Sequence, residues 1–159
     1  MRQAVVLASL LALIGPAALA SNTANQTVTF QVSAINEVSV SGNPATLTVS
    51  AATAGSEPTE VTDTSTTYNI TTNGTNKKLT GAIDTAMPSN VTLKANLAAP
   101  TGGTSAGDVS LSATAQNLVT GITQKAESAK AIAYKLGATV AAGVVSSATR
   151  TVTLTVTDG

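Results

Sequence analysis

The sequence predicts an all-β fold, a single antiparallel β-sandwich, and three observations carry that prediction. Apolar and polar residues alternate with a period of two in most segments, the pattern of half-buried strands rather than of helices. Turn residues punctuate those segments at short intervals, and no strand–helix–strand rhythm links them. The polar positions are rich in Thr and Ser, and Thr is β-branched, which suits a pleated surface.

The chain opens with Met1-Arg2-Gln3 and an apolar run over residues 4–14 broken only by Ser9. Gly15-Pro16 ends the run, and Ala18-Leu19-Ala20 places small residues at the two positions a signal peptidase reads. Residues 1–20 are therefore expected to be a cleaved secretory signal peptide, too short for a stable bilayer anchor. The mature chain is expected outside the cell, with no membrane insertion and no lipid-anchoring Cys.

Residues 25–35 form the first strand-like piece, part of a predicted N-terminal strand segment over residues 21–36. Val28, Phe30, Val32 and Ala34 alternate with Thr27, Thr29, Gln31 and Ser33, and Phe30 is the one Phe in the chain. After a bend or bulge expected at Asn36-Glu37, Val38 and Val40 resume the alternation. Residues 37–159 are assigned to the sandwich domain. Gly42-Asn43-Pro44 is a turn. Residues 46–51 alternate through Leu47, Val49 and Ala51, and a polar loop with Glu57, Glu60 and Asp63 is expected over 52–65.

Residues 67–72 put Tyr68 and Ile70 on one face, and Asn73-Gly74 is a tight-turn dipeptide. A strand over 76–84 carries Leu79 and Ile83 with Gly81 between them. After the turn Met87-Pro88-Ser89, residues 90–97 give the cleanest interior pattern: Val91, Leu93, Ala95 and Leu97 against Asn90, Thr92, Lys94 and Asn96. A Pro, Gly and Ser loop over 98–107 leads to alternation at Val109, Leu111, Ala113 and Ala115, then to a short apolar piece over 118–122. Residues 124–136 contain good helix formers, yet Ile132, Tyr134 and Leu136 alternate with Ala133 and Lys135. A turn near Glu127-Ser128 followed by a strand is the preferred reading. Residues 149–157 close the chain with Val152, Leu154 and Val156 among threonines. Eight to nine short strands fit an immunoglobulin-like or jelly-roll sandwich.

Composition narrows function mainly by exclusion. Charged residues make up 10% of the chain and the formal charge is zero; the eight basic residues less Arg2 leave seven against eight acids. Neither nucleic acid nor an anionic membrane is implied, since both require concentrated positive charge. Without His or Cys the usual general base, thiol nucleophile and transition-metal ligands are missing, so no catalytic, cofactor-binding or metal site is assigned and the protein is not expected to be an enzyme. Glu57, Glu60 and Asp63 form the one acidic cluster. Paired carboxylates hydrolyse glycosides and hard oxygens bind calcium, but the spacing fits no EF-hand loop, and a solvated acidic loop is the favoured reading. Sugar-binding sandwiches present aromatic platforms, whereas Phe30, Tyr68 and Tyr134 all sit on the apolar side of their strands. Four sequons make Asn25, Asn69, Asn73 and Asn90 candidate N-glycosylation sites, in a Thr-rich chain that generates such triplets readily.

The processed N-terminus at Ala20, the strand that follows at once over 26–35, the Thr-Val strand over 150–157 and the cysteine-free Ser/Thr surface resemble secreted β-sandwich subunits of microbial surface filaments. The families most similar in character are the camelysin-related biofilm fibre proteins and the archaeal bundling pili and threads. Chaperone–usher pilins commonly carry a disulfide that this chain cannot form, and type IV pilins retain a long hydrophobic helix that Gly15-Pro16 interrupts here. The resemblance implies a homopolymer joined by donor-strand complementation, with Val28, Phe30, Val32, Ala34 and Ile35 at the subunit interface. Each large apolar anchor would contribute roughly 1.5–3 kcal/mol on burial, and such a head-to-tail contact propagates. The alternative is a monomeric secreted cell-surface binding or adhesin module whose first strand pairs within its own sandwich.

Overall fold

The computed structural model describes residues 22–159; the expected signal peptide lies outside them. The chain divides into two units between residues 32 and 33, and the architecture below is that of residues 33–159. Among the described residues nine strands form, β1 (Asn36–Val40), β2 (Val61–Thr72), β3 (Lys77–Ile83), β4 (Val91–Leu97), β5 (Thr104–Ser105), β6 (Val109–Ser110), β7 (Gln116–Ile122), β8 (Lys125–Ala138) and β9 (Val152–Asp158). One sheet has the order β1-β2-β8-β4-β6 and the other β5-β7-β3-β9. All pairings are antiparallel. The predicted all-β sandwich is the observed architecture.

The inward faces are those the alternation marks. Tyr68, Ile70, Leu79, Leu97, Leu118, Val119, Ile122 and Ile132 are at most 1% exposed and, with Ile83, Leu93, Ala95, Leu111 and Tyr134, make one core between the sheets. With so little aromatic bulk, that core is filled by branched aliphatic side chains. Tyr68 brings its hydroxyl inside and donates it to the Ala98 carbonyl at 2.6 Å, which meets the requirement that a buried phenol find a partner. Burial, with the nearby Glu127 charge, pushes the Tyr68 hydroxyl up to about 12. Burial alone raises that of Tyr134.

β8 resolves the ambiguous segment in favour of a strand, because it lies between β2 and β4 and both flanking ladders require extended backbone. The turn expected near Glu127-Ser128 is instead a bulge inside a continuous 14-residue strand. Ser128 and Ala129 together oppose Asn69, and Ala129 takes the left-handed conformation (φ 54°). Asn69 pins the bulge: its Oδ1 accepts the Ala129 N–H at 2.8 Å while its Nδ2 donates to Ser39 Oγ at 3.1 Å. One side chain thus joins β1, β2 and β8.

From β2 onward every successive strand switches sheets, so the chain makes no hairpin after β1–β2. Asn73-Gly74 accordingly turns the chain from one sheet to the other. The positive φ in this turn belongs to Asn76 (48°), and Gly74 does not need one. Other expectations also shift. The first strand is Asn36–Val40, at the position expected to bend, and residues 23–35 carry no ladder. Residues 46–51 form no strand either, although Leu47 packs against the core, and the bridge Ala52–Pro58 follows them. The strand expected over 108–115 shrinks to Val109–Ser110, because Ser112 already crosses to the other sheet and accepts the Ile83 N–H at 3.0 Å.

Candidate subunit interface

The features that stand apart from ordinary sandwich construction lie in residues 25–35, at the residue that holds their C-terminal end, and along the flank where β1 and β9 run. Val28, Phe30 and Val32 are 77%, 89% and 79% exposed. Scattered exposed apolar residues are normal on a protein surface, but three at a spacing of two in a stretch of backbone with no ladder is the pattern of a strand without a partner. Ala34 and Ile35 continue the stretch, also exposed.

Asn73 fixes the end of this stretch. Its Oδ1 accepts the Ile35 N–H at 2.8 Å and its Nδ2 donates to the Ser33 carbonyl at 2.8 Å, while its backbone N–H reaches the Ile35 carbonyl at 3.2 Å. The carboxamide acts as a short piece of strand edge. Beside it, Thr72 donates its hydroxyl to Asn36 Oδ1 at 2.7 Å. Residues 33–36 are thereby tied to the end of β2 by side chains.

The flank shows where the core is incomplete. Asn36, Val38 and Val40 of β1 stand opposite Thr72, Ile70 and Tyr68, whose side chains are buried, so they point inward too. Val38 is nevertheless half-buried and Val40 is 51% exposed. On β9, Val152, Leu154 and Val156 pair with Ile83, Gly81 and Leu79 and also point inward, yet each is half-buried. Inward Tyr68 and Ile70 of β2, Leu79 and Ile83 of β3, Ala95 and Leu97 of β4, and Ile132 and Tyr134 of β8 are buried, whereas the inward Lys125, Glu127, Lys130 and Leu136 towards the ends of β8 are half-buried. Val38 and Val40 of β1 and Val152, Leu154 and Val156 of β9 thus leave apolar inward-facing surface partly open along this flank.

The acidic cluster is dispersed into structural contacts. Glu57 accepts the Val140 N–H at 2.7 Å, Glu60 pairs with Lys94 at 2.7 Å, and Asp63 accepts the Ser65 hydroxyl at 2.7 Å. That last bond is the main reason the Asp63 carboxyl sits below its usual range. Among the described residues, no three His, Cys, Asp or Glu side chains converge as metal ligands would. Glu60 and Lys94 also line a shallow cleft with Asn90, Thr92 and Gly137, where the two opposite charges neutralise each other.

A second charged group crosses the outer face of the same sheet. Asp108 accepts from Lys135 Nζ at 2.6 Å and Asn96 Nδ2 at 2.8 Å, which holds its carboxyl low and the Lys135 ammonium high. Glu127, paired with Lys130 at 2.6 Å and accepting the Thr101 N–H at 2.8 Å, is likewise lowered. Lys77 pairs with Asp158 and lowers that carboxyl.

The four sequon asparagines fall into two classes. Asn69 and Asn73 use both polar atoms of their amides to organise backbone and neighbouring strands. Asn25 and Asn90 are exposed, and Asn90 sits at a turn with φ 63°. The structure does not gather the four into one site. Sequence reasoning missed the part played by Val38, Val152, Leu154 and Val156. Their alternation was legible, but their position at sheet edges was not.

Neither protein-family models, nor curated proteins, nor solved structures provide a match to the chain.

Proposed function

We propose that the protein is a non-enzymatic structural subunit of an extracellular filament, pilus or biofilm matrix fibre, in which residues 27–32 of one copy, extending from the stretch that Asn73 anchors, complete the sandwich of the next. The observation that carries this reading is the exposure of Val28, Phe30 and Val32 at strand spacing in residues without a ladder. Burying three such side chains contributes about 5–9 kcal/mol before the cost of ordering the segment. A full ladder of main-chain hydrogen bonds adds to it. The contact joins different surfaces of two identical chains, so it repeats head to tail. Export through the N-terminal leader belongs to the same proposal. Among the described residues no helix is long and apolar enough to cross a membrane.

Electron microscopy of the mature protein, isolated without denaturant, tests the reading. Uniform fibres that disappear on Phe30→Asp, with circular dichroism and melting of the dissociated subunit unchanged, are the expected result. A monodisperse particle of single-chain mass for the unmodified protein would refute filament assembly and favour a self-contained binding module.

A further inference from the structure

Resting on the strand-donation reading, we infer that the receiving surface is the outer edge of β9, beneath the overhanging inward face of β1, and that its occupant is the residue 27–32 segment of a second copy. The four sheet edges differ sharply in what they offer. β5 and β6 are two residues each, too short to template a ladder. β1 has five residues and places the charge of Glu37 on its outward face. β9 has seven residues, pairs with β3 in unbroken register and carries no charge before Asp158. Soluble proteins protect exposed edges with Lys, Pro, bulges or short strands. β9 has none of these between Val152 and Thr157, so its free edge is a ready template.

Burial points to the same place. The four-stranded sheet ends at β9, while the five-stranded sheet extends to β1, and β1 and β9 approach each other along this flank. One more strand beside β9 would give the two sheets five strands each and would lie opposite β1. It would cover Val40, which is 51% exposed although it points inward, along with the half-buried Val38, Leu154 and Val156. The incoming segment has the matching form: Val28, Phe30 and Val32 point to one side, towards the core, and Thr29 and Gln31 point to the other, continuing the Thr153 and Thr155 surface of β9.

The absence of cysteine from the chain makes disulfide trapping clean. One population carries Thr29→Cys and a mass tag; the other carries Thr155→Cys on β9 or, in parallel, Ser39→Cys on β1. All three sites are exposed, and unchanged melting confirms folding of each variant. The populations are mixed from dissociated subunits, allowed to assemble and oxidised. The expected result is a tagged–untagged crosslink with Thr155→Cys, lost when the tagged chain also carries Phe30→Asp. Fibres that crosslink through Ser39→Cys and not Thr155→Cys would overturn the β9 assignment while leaving strand donation intact. No fibres and no crosslink in either mixture would overturn both readings. A doubly substituted Thr29→Cys/Thr155→Cys chain that closes on itself as a monomer would overturn the choice of a second copy as occupant.

Discussion

Gly81→Ala offers a sharp test of how the sandwich is packed. Gly81 is buried on β3, between Leu154 of β9 and Gln116 of β7, in a backbone conformation open to any residue. An added methyl would lie 2.6 Å from Leu118 Cδ1 and 3.5 Å from Leu111 Cδ2. Carbon atoms prefer about 3.5–4.0 Å, so Leu118 must move by about 1 Å within a core where it is completely buried. Overpacking of this kind costs about 1–3 kcal/mol. Removing glycine's freedom in the unfolded chain returns about 0.4–1 kcal/mol. The net loss is about 1–2 kcal/mol, or roughly 3–8 °C in Tm for a domain of this size. Urea unfolding of the dissociated subunit should show a lower midpoint at unchanged m. Adding Leu118→Ala, which opens space at the clash, should make the double variant more stable than the sum of the two single losses. A Gly81→Ala variant as stable as the parent, or strictly additive effects in the pair, would refute the steric argument.

Three further predictions concern hydrogen-bonded, glycan-accepting and titrating side chains. Asn73→Ala removes two side-chain bonds to the backbone of residues 33–35 and should cost about 1–2 kcal/mol, with loss of hydrogen-exchange protection at the Ile35 amide. Asn73→Asp keeps the acceptor for Ile35 and should retain that protection in part; full protection in the Ala variant would disprove the clamp. In an N-glycosylating host, mass spectrometry of the folded protein should find glycan at Asn25 and Asn90 and none at Asn69 and Asn73, whose amides are engaged; high occupancy at Asn69 would contradict this. The pH dependence follows from carboxylates held low in the fold, Asp63, Asp108, Glu127 and Asp158. Their folded values lie below the unfolded ones, so their stabilisation is present above about pH 4.5 and is lost as pH falls through the depressed values. With no His in the chain, the unfolding midpoint should be nearly flat from about pH 5 to 9. At the basic end, Tyr68 is raised to about 12, so stability should fall as pH climbs from about 10 towards that value. A midpoint that drops between pH 7 and 5 would contradict this account.

Much of the fold was legible because strand faces are encoded locally. Val91 to Leu97 reads as a strand in the sequence and is one, with Leu93, Ala95 and Leu97 buried as the alternation requires. The strand over Lys125–Ala138 was harder, since its first half has helix-forming composition. The ladder with β2 overrode that preference and absorbed the mismatch in a bulge at Ala129, and the ladder with β4 holds the second half extended. Asn73-Gly74 shows the opposite failure. The dipeptide signals a reversal of the chain but not whether its flanking strands pair, and here they enter different sheets. The hydrogen-bonding capacity of Asn73 goes instead to residues 33 and 35, 40 and 38 positions away, a relation no local pattern contains.

The sequence by itself determined that this protein is built from antiparallel strands, which side chains share a face along strands such as Val91–Leu97, and that Val28, Phe30 and Val32 share one side of an N-terminal segment. Those properties follow from a side-chain period of two, which any short stretch displays. Only the tertiary structure decided which strands become neighbours, and therefore that β9 and β1 lie at the edges and that inward-facing Val40 and Leu154 lack full cover. Strand order is set by pairings between distant parts of the chain, and the same alternating pattern is compatible with the centre of a sheet or its rim.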